Sequence, residues 1–215
     1  MKSVIFDLDG TLWDASLPIA EAWREVGRRY FGPSFSLPLG KVCAMMGKTM
    51  DEIARLLAPE NADPAAFSGF VHDSFSYECE YLSTHPGSLF PGELDVLKEL
   101  SQKYDLYIVS NAQAGYIENF TAILPYPYIK DHMCWDDTKK EKAVTIQALM
   151  ARHGIAKEDA VYVGDTSKDR DAAFGAGIPF IYCLFGFEKK PREDEPTLRA
   201  FQELPAALER IFKGN

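Results

Sequence analysis

Met1-Lys-Ser-Val-Ile-Phe-Asp-Leu-Asp-Gly-Thr-Leu-Trp-Asp14 decides the fold, because in it an apolar strand runs straight into two carboxylates, a glycine and a hydroxyl. Val4, Ile5, Phe6 and Leu8 make the nearly continuous apolar run of a strand buried on both faces of a parallel sheet. Side chains alternate along a strand, so Asp7 and Asp9 share a face while the strand stays regular, and Gly10 lets the chain turn at once. The acids therefore lie at a strand's carboxyl end, the edge on which open α/β sheets bind ligands. Asp-Gly-Thr after a strand is also the sequence of a plain solvated turn. The rest of the chain has to choose between turn and site.

With 215 residues, 47% of them hydrophobic, the chain can bury one good-sized core or a core plus a small appended domain. No run of eighteen apolar residues exists, and the sequence enters a strand directly in place of a basic and then apolar signal segment, so a cytoplasmic protein with no membrane partner is expected. Cys43, Cys79, Cys134 and Cys183 are scattered, without a Cys-x-x-Cys pair, and read as buried small hydrophobes. A net charge of −9 argues against a nucleic-acid or anionic-membrane surface, both of which need clustered Lys and Arg. A small anionic substrate is compatible with it if a metal ion, a lysine or helix N-termini meet the charge locally. Oligomeric state is not encoded in any of these features.

Beyond the opening strand, residues 16 to 82 carry helical periodicity. Ile19, Ala20, Trp23, Val26 and Tyr30 form one stripe that Gly32-Pro33 ends, Thr49 to Glu52 matches a capping box, and Asp63-Pro64 opens a helix carrying Phe67, Phe70, Val71 and Phe75. From His85 the pattern changes to alternation. A helix with Leu94, Val96, Leu97 and Leu100 leads to a strand at Leu106 to Ser110, a helix from Tyr116 to Leu124, and a weaker strand near His132 to Trp135. Thr138 to Glu141 reads as a second capping box, opening a helix with Ala143, Ile146, Leu149 and Met150. A strand at Ala160 to Val163, a short helix at Ala172 to Ala176, a last clear strand at Pro179 to Cys183, a polar segment over 186–197 and a final helix ending near Phe212 complete the chain.

A strand, a helical insert and repeated helix–strand units predict an α/β protein with a Rossmann-like parallel sheet. The core is expected over 1–14 and 86–215, with a helical cap over 15–85 inserted after the first strand. Both connections of that cap flank the acidic loop, which is the geometry of a lid.

Four chemically suggestive stretches then share one edge of the sheet: Asp7 to Thr11, Ser110-Asn111, the lysines Lys139, Lys140 and Lys142, and Gly164-Asp-Thr-Ser-Lys-Asp169. Singly, each reads as a turn, a helix cap or a solvated face. Together, and in this order, they bring acids from separate strand ends to one place. Two such carboxylates about 4 Å apart repel by about 4 kcal/mol at an effective dielectric of 20. The cluster calls for a cation, and all-oxygen ligation suits Mg²⁺, which takes one or two carboxylates, waters and a substrate phosphate.

Asp7-Leu-Asp-Gly-Thr-Leu12, Ser110-Asn111, Lys142, Gly164-Asp165-Thr-Ser-Lys-Asp169 and the downstream Ala172-Ala173 and Ala176-Gly177-Ile178-Pro179 resemble the haloacid dehalogenase superfamily, in its phosphatase branch with a helical cap of the phosphoglycolate phosphatase type. The resemblance covers nearly the whole chain. It implies that Asp7 is a nucleophile forming an aspartyl-phosphate and that Asp9 is the general acid and base. It further implies that Thr11, Ser110, Asn111 and Lys142 bind the phosphoryl group, and that Asp7, the Asp9 main-chain carbonyl and Asp165 ligate Mg²⁺ while Asp169 orients from behind. Lys139 is the alternative to Lys142. The implied partner is a small phosphorylated metabolite.

Within that family Asp9 argues against carbon–halogen cleavage. Phosphonate hydrolysis would need a cap lysine such as Lys48, and a sugar phosphomutase would need an arginine-bearing segment near Gly47-Lys48-Thr49-Met50. A non-catalytic phosphate-binding relative would have shed at least one of the costly charges. Trp13, the Met45 to Met50 turn, His85 and the Phe185-Gly-Phe187 loop are candidate neighbours of the leaving group, although packing explains each as well. His72, His132 and His153 have no ligand spacing.

Overall fold

The structure, a computed structural model, describes residues 1–57, 63–125 and 127–213. Strand β1 (Ser3–Phe6) has all four residues buried and is the centre of the sheet. Around it the chain adds β4 (Asp105–Val109), β5 (Ile129–Met133), β6 (Ala160–Gly164), β7 (Phe180–Cys183) and β8 (Thr197–Leu198), in the order β5-β4-β1-β6-β7-β8 with every pair parallel. Parallel neighbours need crossover helices, and these cover both faces.

The pleat of β1 divides the core. Val4 and Phe6 face a cluster that includes Val96, Leu97 and Leu100 of α5 (Glu93–Leu100), Ile117 and Phe120 of α6 (Tyr116–Ile123), and Leu204 and Leu208 of α10 (Leu204–Lys213). Ile5 faces the other way, among Ile146, Leu149 and Met150 of α8 (Lys142–His153) and Ala172, Ala173 and Ala176 of α9 (Ser167–Ala176). This alternation of a period-two strand between two helix layers explains why the run shows no polar face.

Two short strands, β2 (Trp13–Asp14) and β3 (Ser88–Leu89), pair antiparallel next to the sheet, Trp13 opposite Leu89. Between them lie α1 (Ser16–Phe31), α2 (Leu39–Cys43), α3 (Met50–Leu57) and α4 (Pro64–Thr84). Residues 58–62 of the expected cap lie outside the described residues. Asp14 Oδ1 accepts from the Ser16 amide (2.9 Å) and hydroxyl (2.6 Å), which turns the chain from β2 into α1. Helices α1 and α4 pack through aromatic pairs such as Trp23 with Phe75, centroids 5.8 Å apart. Among the described residues no helix is long and apolar enough to cross a membrane.

The Thr49–Glu52 capping box forms, with reciprocal bonds of 3.0 and 3.4 Å, and Asp63 caps α4 by accepting from the Ala66 amide. The box expected at Thr138 to Glu141 does not form. Trp135–Thr138 is instead the short helix α7, the Thr138 hydroxyl meets Thr145 Oγ1 at 2.7 Å, and Lys139 takes a left-handed conformation (φ 53) that breaks the chain before α8. The strand expected near His132 to Trp135 ends at Met133, because Cys134 already caps α7. Helix α9 starts at Ser167, five residues earlier than its alanines indicate, since Thr166 and Asp169 form a capping box.

Glu93, at the start of α5, gives a stability test. Its Oε2 accepts from the Phe90 amide at 3.0 Å while Oε1 is buried without a partner, and burial pushes its pKa from 4.5 up to about 8, against the pull of that amide. The folded state binds this proton more tightly than the unfolded state, so Glu93 favours folding below about pH 4.5 and progressively loses that contribution as the pH rises to about 8. Unfolding in denaturant across this window is expected to show a flatter pH dependence for Glu93→Gln than for wild type.

Candidate active site

The sheet register brings the carboxyl ends of three strands level. Phe6 lies opposite Ile108 on β4 and Val163 on β6, and the Asp7 amide continues the ladder by donating to the Val163 carbonyl at 2.8 Å. The residues that follow each strand, Asp7 to Thr11, Ser110-Asn111 and Asp165, therefore emerge side by side. Asp7, Asp9, Thr11, Ser110, Asn111, Lys142, Asp165 and Asp169 are all buried.

Lys142, the first residue of α8, is the hub. Its Nζ lies 2.7 Å from Asp7 Oδ1 and 2.6 Å from Asp169 Oδ1, with the lysine side chain only 6% exposed. Lys139 and Lys140 are exposed on the surface. Asp169 is fully engaged: Oδ1 takes Lys142, and Oδ2 takes the Thr166 amide (3.1 Å) and hydroxyl (2.5 Å). Asp165 Oδ2 accepts from the Phe187 amide at 2.6 Å.

Two oxygens are left over. Asp7 Oδ2 and Asp165 Oδ1 are buried with no hydrogen-bond partner. Asp7, Asp165 and Asp169 offer oxygens within 4.8 Å of one another. Three carboxylates face one ammonium here, and the imbalance appears in their acidities. Burial, then Asp169, raises the Asp7 pKa to about 7 despite Lys142. Burial, then Asp169 and Asp7, holds Asp165 well above the usual carboxylate range. Burial alone would pull Lys142 down, but Asp169 and Asp7 outweigh it and keep the ammonium charged. An all-oxygen donor set with two unsatisfied carboxylate oxygens fits a hard divalent cation. Asp169, unlike Asp7 and Asp165, has no oxygen without a hydrogen-bond partner.

The loop is tight as well as charged. Gly10 has φ +83, and a Cβ there would collide with the Asp165 carboxylate; one at Gly186 would strike the same group. Glycine at both positions lets main chain close around the acids.

Asp9 is held differently. Its Oδ1 accepts from the Tyr116 hydroxyl at 2.7 Å and from Trp13 Nε1 at 3.1 Å, and the two rings stack edge to face at 5.6 Å. Burial raises its pKa to about 6, while the Tyr116 and Trp13 bonds pull it down. The result is a buried carboxyl of fixed orientation whose pKa lies above the usual aspartate range. Ser110 Oγ accepts from the Ala112 amide at 3.3 Å, Asn111 Nδ2 donates to the Gly47 carbonyl at 3.0 Å across to the helical insert, and the Thr11 hydroxyl is buried without a partner.

The histidines stand apart. His85 stacks on Tyr81 at 4.2 Å, while His72, His132 and His153 pair with Asp73, Glu118 and Asp131. Tyr116, Glu78 and Gln113 line the cavity beside Asp9 and were not singled out from the sequence. Tyr116 carried only a helix-start signal. Glu78 did carry one that could have been read: buried positions on α4 fall at 70, 74, 78 and 82, so an acid sits on a buried stripe.

The family model described as haloacid dehalogenase-like hydrolase matches residues 4–183. The chain belongs to the haloacid dehalogenase-like hydrolases. Among curated proteins it is similar to a phosphoglycolate phosphatase of Rhodobacter capsulatus, 25% identical over 99% of this chain and 97% of that protein. A phosphoglycolate phosphatase of Cereibacter sphaeroides is 27% identical over 99% and 100% of the two chains. Among solved structures, CbbY from Rhodobacter sphaeroides in complex with phosphate superposes with a TM-score of 0.80 at 18% identity, covering 97% of this chain and 99% of that one. At that identity the superposition shows the shared fold.

Proposed function

We propose that this chain is a phosphoric monoester hydrolase that cleaves a small-molecule phosphate ester through an aspartyl-phosphate on Asp7. The observation that carries the reading is the juxtaposition of a lysine-pinned carboxylate having one free oxygen with a second buried carboxyl, Asp9, held in place by Tyr116 and Trp13. The curated relatives named phosphoglycolate phosphatase support the reaction class.

In the first step a carboxylate oxygen of Asp7 bonds to phosphorus, the ester P–O bond breaks, and Asp9 gives its proton to the departing alcohol oxygen. In the second, Asp9 takes a proton from water, whose oxygen attacks phosphorus and releases the Asp7 carboxylate and phosphate. Lys142 fixes the Asp7 rotamer and balances charge on the phosphoryl oxygens, Ser110 and Asn111 supply hydrogen bonds to them, and Asp169 holds Lys142. Thr11 belongs to the same loop and brings a free hydroxyl. Asp7, Asp165 and the Asp9 main-chain carbonyl would hold Mg²⁺. Bound there, the ion supplies charge neutralisation for three acids and a dianionic phosphate. Helices α1 to α4 act as a lid that excludes water, tied to the core by Asn111.

Release of inorganic phosphate from a panel of small esters tests the reading. Turnover is expected with Mg²⁺, none with EDTA, and none for Asp7→Asn. Undiminished turnover by Asp7→Asn would overturn it. Conversion of a glucose 1-phosphate standard to glucose 6-phosphate without phosphate release would indicate a mutase.

A further inference from the structure

We propose that Glu78, Gln113 and Trp23 form a leaving-group subsite that selects phosphate monoesters of small polyols, whose hydroxyl groups match the poorly satisfied polar atoms of these three side chains. The proposal rests on the phosphatase reading of the neighbouring Asp7 and Asp9.

Glu78 is a carboxyl where a helix buries its packing face. Together with Phe70, Ser74 and Leu82 it makes up the buried residues of α4, and it is 2% exposed. Its Oε1 accepts from Gln113 Nε2 at 3.3 Å. Its Oε2 and Gln113 Oε1 have no partner at hydrogen-bond distance, and the Trp23 indole N–H has only a loose interaction with the Glu78 carboxyl itself. All three residues line one cavity of about 30 Å³ that Asp9, Ser110 and Asn111 also line. Buried polar atoms are satisfied in nearly all folded proteins, so three poorly satisfied ones around one space beside the proton-transferring carboxyl imply that something polar fills it.

These atoms specify what. Trp23 Nε1 can only donate, and Gln113 Oε1 can only accept, whereas Glu78 accepts when ionised and can donate when protonated. A hydroxyl both donates and accepts, so it serves this set in either state of the glutamate. A carboxylate only accepts. It would leave Gln113 Oε1 unpaired and bring a third negative group to a cavity whose described lining already has Asp9 and Glu78 against the single cation Lys48. An ammonium only donates and would offer Trp23 Nε1 no acceptor. Burial, then Asp9, pushes the Glu78 pKa up to about 8 against the weaker pull of Gln113 and Trp23, in keeping with a carboxyl that has no cation at contact distance. A cavity of about 30 Å³ suits a hydroxymethyl-sized group.

The test compares glycerol 3-phosphate, propyl phosphate and 2-phosphoglycolate as substrates of the Mg²⁺-loaded full-length protein, with p-nitrophenyl phosphate reporting on the phosphatase chemistry alone. Wild type is expected to favour glycerol 3-phosphate over propyl phosphate by roughly 100-fold or more in kcat/KM, because a site that hydrogen-bonds a hydroxyl rejects the analogue lacking it. Glu78→Leu is expected to collapse that ratio to within several-fold and to raise Tm, since a buried carboxyl with one unpaired oxygen is replaced by an apolar group of similar volume. Glu78→Gln should keep part of the preference. A preference for 2-phosphoglycolate, or a Glu78→Leu variant whose ratio is unchanged while all esters slow together, would overturn the subsite and leave the phosphatase reading standing. If p-nitrophenyl phosphate is not turned over, the phosphatase reading fails instead. Calorimetric binding of glycerol 3-phosphate against propyl phosphate, to wild type and Glu78→Leu, then decides the subsite: equal affinities overturn it, and a wild-type preference lost in the variant supports it.

Discussion

Lys142→Met is expected to abolish detectable turnover and to destabilise the protein by about 3–5 kcal/mol in the presence of EDTA, the cost of leaving buried charges without their counter-ion. The lysine is 6% exposed and stands within 2.7 Å of Asp7 and 2.6 Å of Asp169, so its removal strands both carboxylates beside Asp165. Catalytically, the loss of one preorganised donor to a developing phosphoryl charge is worth roughly 10²–10³-fold, and release of the Asp7 rotamer adds to it. Lys142→Arg should not rescue, because a planar fork cannot replace a point charge that converges on two oxygens. Denaturant unfolding in EDTA measures the first effect and phosphate release the second. A Lys142→Met enzyme within several-fold of wild type would show that α8 supplies structure only.

Asp9→Asn is expected to cost about 10²–10⁴-fold in kcat/KM on esters of ordinary alcohols with little change in stability. Asparagine preserves an oxygen that can accept from Tyr116 and Trp13, so the loop retains the bonds that orient Asp9. What disappears is the exchangeable proton. The loss should therefore depend on the leaving group: severe for an alkyl ester, whose alkoxide needs protonation, and much smaller in the first step for p-nitrophenyl phosphate, whose phenolate leaves unaided. Equal losses on both esters would assign Asp9 a structural part.

The core was legible because its signals are local. Val4 to Leu8, Leu106 to Ser110 and Ala160 to Val163 are apolar runs that no helix period fits, and each of the three strands formed within a residue or two of its expected place. The acidic loop was legible for a different reason: carboxylates at the ends of separate buried strands make no sense as packing, and parallel register alone brings Asp7 and Asp165 together.

What was missed depends on three-dimensional partners. Thr138 to Glu141 has the residues of a capping box, yet Thr138 Oγ1 finds Thr145 and the chain breaks at Lys139. Pattern alone does not say which of two nearby helices claims a threonine. Trp13 could be read as core, which it is, while its indole N–H bond to Asp9 follows from a pairing with β3 across the whole insert, from Asp14 to Ser88. Gln113 and Tyr116 reach the site from the loop and helix after β4, where the sequence offers no spacing rule to mark them. Lys142 was separable from Lys139 only because Lys142-Ala-Val-Thr-Ile146 resembles the family's third motif. In the fold that distinction is absolute, since one lysine is buried among acids and the other is exposed.

The claim that Asp7 carries the phosphoryl group is tested most directly by mixing Asp9→Asn enzyme with p-nitrophenyl phosphate and Mg²⁺, quenching in acid within a turnover, and mapping the peptides by mass. With a leaving group that needs no acid and no base left for the second step, the phosphoryl group is expected to accumulate on the peptide containing Asp7, in a stoichiometry matching the p-nitrophenol burst, and to vanish in Asp7→Asn/Asp9→Asn. A burst with the phosphoryl group on any other residue, or steady release of phosphate from the double variant, would contradict the account.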